Sequence, residues 1–195
     1  SQQKPAFTWW VINRLAFLVA ASNLASFLLY FLQERFPQLH GNAAAQPATL
    51  LVMATGIAIL VAALPAGWLA DKIGTKPLLA VSGILAAAGA LVVIAAQDMP
   101  MMTVGAVLVG AASGAFYSSN WALGTQLVPK EEAGRYLGIS NLAGAGAGAI
   151  GAYIGGPIGD SAGYVVQMAI YAALFLFSTL ALLRIKPANH QPGQA

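Results

Sequence analysis

Side chains able to do chemistry are scarce in this sequence, and most stand at the edges of apolar stretches. The six carboxylates, Glu34, Asp71, Asp98, Glu131, Glu132 and Asp160, all fall at stretch ends. The two histidines, His40 and His190, fall in a loop and in the C-terminal tail. General acid–base work needs such groups within hydrogen-bond reach of a substrate, and a metal needs several of them clustered. Neither arrangement is available at membrane depth. Cysteine is absent, which removes disulfides and thiolate chemistry. Ser113, between Ala112 and Gly114, could act as a buried nucleophile only with a base beside it, and neither histidine can reach it. No enzyme, metal or cofactor is expected.

Binding chemistry is better supplied. Asn23, Ser26, Tyr30 and Gln33 recur at three- or four-residue steps, so on a helix they share a face. In lipid such a stripe lines a water-filled cavity or makes interhelical hydrogen bonds, and both readings stand. Tyr117 and Trp121 are one helical turn apart, beside Ser118 and Asn120. Aromatic faces next to amide and hydroxyl groups suit a polar organic solute such as a sugar; the rival is that Trp121 and Gln126 merely sit near the membrane interface. Arg14 is one turn beyond Trp10, about 6 Å deeper along the axis, and its side chain is expected to snorkel back to the headgroups.

The elements that must hold these residues follow from composition. Of 195 residues, 58% are hydrophobic and 8% charged, against roughly 25% charged in a soluble domain. That much apolar surface must face lipid or other helices. The net charge of +3 is small and forms no basic stripe, so nucleic acid is excluded as a partner. Six apolar stretches, approximately 8–36, 48–70, 78–97, 101–128, 136–158 and 164–184, are each long enough to cross roughly 30 Å of hydrocarbon. Runs of this length without alternation are helices. The expectation is an all-α membrane protein: a six-helix transmembrane bundle over 1–187 with a disordered cytoplasmic tail over 188–195.

Lys4, Arg14, Lys72, Lys76, Lys130, Arg135, Arg184 and Lys186 fall on one side of this arrangement and Arg35 alone on the other. The positive-inside rule therefore puts both termini in the cytoplasm, as in a plasma or inner-membrane protein. Pro65 should bend the second helix. The fifth helix carries Gly144, Gly148, Gly151, Gly155 and Gly159 at steps of three or four, a face expected to pack tightly on a neighbour. Ser1 opens the chain in place of Met, which suggests a truncated or processed product.

One polar hinge stands out between the second and third stretches, Gly67-Trp-Leu-Ala-Asp71-Lys72-Ile-Gly74-Thr75-Lys76-Pro77. Its spacing, G-x-x-x-D-x-x-G-x-[KR], closely resembles the loop motif of major facilitator superfamily transporters. Gly67, Asp71, Gly74 and Lys76 match; Thr75 stands where the stronger copy of the motif carries a base. The stretch Pro129–Gly138, with Arg135, resembles a second loop of the family. The resemblance implies half of a major-facilitator fold, two three-helix inverted repeats, most like the C-terminal half. It also implies a secondary transporter moving a small organic solute by alternating access. In that family the first and fourth helices of each half line the cavity, which makes Asn23, Ser26, Tyr30, Tyr117, Asn120 and Trp121 the candidate solute residues. Gly67, Asp71, Gly74, Lys76 and Arg135 become a candidate conformational switch, with Asp71 set against the start of the fifth helix. The partners implied are the bilayer and a second six-helix half. A stand-alone protein that homodimerises is the alternative, and an intramembrane serine protease a remote one.

Overall fold

A computed structural model describes residues 3–128 and 132–185. It is helical throughout, with no strand among the described residues. The helices are α1 (Gln3–Ser26), α2 (Leu28–Arg35), α3 (Ala45–Ile73), α4 (Thr75–Ala95), α5 (Met99–Leu127), α6 (Ala133–Ala162) and α7 (Tyr164–Ala181). Among the described residues five helices are long and apolar enough to cross a bilayer, and the bent pair α1–α2, taken as one span, brings the number to six.

The bend between α1 and α2 is 56°. No proline or glycine stands at Phe27; the Ser26 hydroxyl donates to the Ser22 carbonyl at 2.9 Å just before it, a bond of the kind that often accompanies helix bends. Pro65, by contrast, lies inside an unbroken α3. At the start of α5, Asp98 accepts from the Met101 amide at 2.8 Å, and Pro100 fits the first turn.

The polar hinge is far shorter than its residue types suggest. Gly67 and Asp71 lie within α3, and Thr75, Lys76 and Pro77 form the first turn of α4. Only Gly74 is non-helical; at φ 92° and ψ 153° it ends one helix and begins the next. That backbone region is open to glycine and strained for other residues. Gly163 joins α6 to α7 in the same way, at φ 89° and ψ 153°.

The two junctions mark an internal repeat. Gly67, Asp71 and Gly74 have the same spacing as Gly156, Asp160 and Gly163. Packing agrees: α3 runs along α5 and α6 along α1, α4 packs on α5 and α7 on α1, and α4 meets α7. Exchanging the first three spans for the last three leaves this pattern unchanged, as two inverted three-helix repeats require. With three spans between them, the junctions stand at opposite ends of the bundle.

The centre is aromatic. Phe17 of α1 stacks on Phe116 of α5 with centroids 3.7 Å apart and meets Phe175 of α7 at 4.9 Å. The seams close on small residues. A methyl group placed on Gly110 would lie 2.5 Å from the Thr55 carbonyl oxygen of α3. On α6, Gly151 packs on Asn23, Gly155 on Tyr171 and Gln167, and Gly159 on Tyr164. Gly148 corrects the expectation of a continuous tight face, because nothing lies within 4 Å of where its side chain would be. Helices α3 and α6 bury only 11% and 17% of their apolar windows within the chain, against 50%, 50% and 44% for α4, α5 and α7. Their outer faces carry Leu60, Leu64 and Trp68, and Leu142 and Tyr153.

Candidate solute site

Polar chemistry at depth gathers where α1 meets α5. Asn13 donates from Nδ2 to the Ser178 carbonyl and hydroxyl oxygens, both at 2.8 Å. Asn120 donates from Nδ2 to Asn13 Oδ1 at 3.0 Å, and its own Oδ1 accepts from Arg14 Nη1 at 3.0 Å. Trp10 Nε1 donates to the Asn120 carbonyl at 3.1 Å. Asn13 and Asn120 are fully buried, so these bonds satisfy amides that could not be left bare.

This network fixes Arg14. The guanidinium turns toward α5, bonds Asn120 and lies 5.8 Å from the Trp121 ring centroid. A neighbouring amide acceptor and an aromatic face hold the cation in place. Nε is buried without a hydrogen-bond partner. Among the described residues Arg14 has no ion pair.

The named solute residues fall into three settings. Asn120 is buried and supports Arg14, while Trp121 and Tyr117 remain partly exposed beside it. Asn23 is buried in the α1–α6 seam, donating to Val19 O at 2.9 Å and Ala147 O at 3.3 Å. Ser26 is exposed with its hydroxyl bonded within α1, and Tyr30 stacks on Tyr164 at 5.4 Å. The bend at Phe27 separates the Asn23–Ser26 part of the stripe from Tyr30 and Gln33. A cavity of about 270 Å³ between α1, α3 and α5 is mainly apolar, with Ser22, Thr55, Ser113 and Tyr117 as its polar members. Ser113 itself donates to Val109 O at 2.8 Å, an ordinary helix serine.

At the end of the bundle that holds the termini, Asp71 is exposed and takes part in no ion pair among the described residues. Gly67 has nothing within 4 Å of its would-be side chain among the described residues. Lys76 Nζ donates to the Ile185 carbonyl, tying α4 to the end of α7. Arg135 is exposed and lies 3.9 Å from Glu132; Lys130, Glu131, Lys186 and the tail lie outside the described residues. Asn13 and Ser178 were not singled out from sequence, although Asn13 is an amide next to a buried charge. The second Gly-Asp-Gly triplet was also legible, as a spacing.

Two comparisons bear on this arrangement. The family model of the Major Facilitator Superfamily matches residues 10–194. The chain is also similar to the minor myo-inositol transporter IolF of Bacillus subtilis (strain 168), with 28% identity over 134 residues. That match covers 68% of this chain and 30% of the relative, so the chain spans well under half the length of the relative it matches. The family match runs through every described span, over a bundle with the expected inverted repeat: this chain belongs to the major facilitator superfamily of membrane transporters.

Proposed function

We propose that the chain forms one six-helix half of a secondary transporter that carries a small hydroxylated solute by alternating access. The observation that carries this reading is the α1–α5 cluster, where Trp121 and Tyr117 stay accessible beside a rigidly held Arg14. Aromatic faces bind the apolar side of a ring while fixed donors meet its hydroxyls. The similarity to a myo-inositol transporter supports a cyclic polyol as the solute class. The uncovered faces of α3 and α6 are the surfaces that a second half, or a second copy, would cover. The basic residues favour cytoplasmic termini, in a plasma or inner membrane.

Asp71 completes the reading. It stands at the terminal end of α3, where an anion can take amide hydrogens at the start of α6 or pair with Arg135. A contact made in one conformation and broken in the other biases the equilibrium between them. The test is uptake of labelled myo-inositol by cells expressing the intact gene. Trp121→Ala is expected to reduce uptake at least tenfold at normal expression. Asp71→Asn is expected to slow uptake while binding persists. Wild-type uptake by Trp121→Ala would refute the placement of the site.

A further inference from the structure

We propose that the cavity between α1, α3 and α5 is a subsite for an apolar substituent of the transported solute, so that the preferred class is an alkyl or aryl glycoside ahead of a bare polyol. The inference deepens the solute site proposed above and rests on it. The cavity holds about 270 Å³, and an apolar cavity of about 150 Å³ is enough to take up benzene. Its floor is buried and apolar, with Leu28 of α2, Leu51 of α3, and Met102 and Val109 of α5. Its rim is accessible at Ala25, Val52 and Tyr117.

The hydroxyls inside the cavity are already bonded. Thr55 donates to the Leu51 carbonyl at 2.9 Å and Ser113 to the Val109 carbonyl at 2.8 Å, so each is satisfied within its own helix. The other two hydroxyls, of Ser22 and Tyr117, belong to exposed residues at the rim. Water in the interior would find too few partners, and such a space favours an apolar guest. The room comes from small residues. Ala21, Gly56 and Ala106 line it, and a methyl group on Gly56 would meet nothing within 4 Å among the described residues. Tyr117 ties the cavity to the aromatic cluster, because it lines the cavity and stands one helical turn, about 6 Å, from Trp121. A hydroxylated ring resting on Tyr117 and Trp121 therefore has the opening within reach of a substituent. A bare polyol would leave the apolar floor without a guest, whereas an alkyl or aryl group gains by burial against it.

The experiment is equilibrium binding of methyl β-D-glucoside, phenyl β-D-glucoside and myo-inositol to the full-length transporter in nanodiscs, read by isothermal titration calorimetry. Wild type is expected to bind the phenyl glucoside at least tenfold more tightly than the methyl glucoside. Gly56→Leu fills the cavity from a position with open space, and is expected to bring the ratio of those two dissociation constants close to one while methyl glucoside still binds. Ala106→Val, at the buried floor, should narrow the ratio; if that variant does not fold, Gly56→Leu alone decides. Equal wild-type affinities for the two glucosides, or binding of myo-inositol alone, would overturn the subsite while leaving the polyol reading standing. Binding of none of the three would overturn both. A phenyl preference that survives Gly56→Leu unchanged would also overturn the subsite, since the phenyl group would then be held elsewhere.

Discussion

The α3–α5 seam permits a worked stability prediction at Gly110. A methyl group there would lie 2.5 Å from Thr55 O, 2.8 Å from Ala58 Cβ and 3.1 Å from Thr55 C. Two of these atoms are backbone, so no rotamer change relieves the clash. Against an ordinary contact of about 3.4 Å the shortfall is roughly 0.9 Å, and the two helices must separate by about that distance. A gap of ~0.5–1 Å forfeits a quarter to a half of each dispersion contact along the seam, and overpacking of this kind costs ~1–3 kcal/mol. Replacing glycine within a helix returns ~0.5–1 kcal/mol. Gly110→Ala is therefore expected to destabilise the bundle by about 1–2 kcal/mol. Gly148→Ala, with nothing within 4 Å, is expected to stabilise it by ~0.5–1 kcal/mol from the propensity term alone. Unfolding by SDS in mixed micelles, followed by far-ultraviolet circular dichroism, measures both. If Gly110→Ala unfolds no earlier than wild type, the close backbone approach of α3 and α5 is wrong.

Two further outcomes are expected. Asn120→Ala removes the partners of Asn13 Oδ1 and Arg14 Nη1 and should cost ~1–3 kcal/mol in the same titration, whereas Ser26→Ala, at an exposed site, should stay within about 0.5 kcal/mol of wild type. Because the chain has no native cysteine, single cysteines at Asn42 and Ser161 should label from outside intact cells and one at Thr75 should not; labelling at all three positions would refute cytoplasmic termini.

The spans were legible because run length and composition are properties of the chain itself: twenty apolar residues in lipid have few alternatives to a helix. The site was legible only in part, because its geometry is tertiary. Tyr117, Asn120 and Trp121 were singled out as candidates by their types, but nothing local says that Asn120 turns inward to Asn13 while Trp121 stays accessible. The partner of Arg14 was illegible for the same reason: its acceptor comes from a residue 106 positions away. The Asn23–Ser26–Tyr30–Gln33 stripe assumed an unbroken helix, and the 56° bend at Phe27 ends that assumption.

The repeated Gly-Asp-Gly spacing shows how one local design meets two electrostatic settings. Both copies reverse the chain through a single glycine at nearly the same φ and ψ, so the backbone role of the motif is identical at the two ends. The carboxylates differ. Asp160 accepts from the Tyr164 hydroxyl at 3.0 Å, and Glu34 caps the Tyr164 amide at 2.6 Å, so the α6–α7 junction is tied to α2. Asp71 has Thr75 at the position equivalent to Tyr164 and has no ion pair among the described residues. An aspartate in water needs no partner, so its bareness is not in itself a sign of function. What separates the copies is the surroundings. The copy at the non-terminal end is bound to the rest of the bundle, while the copy at the terminal end leaves its carboxylate exposed.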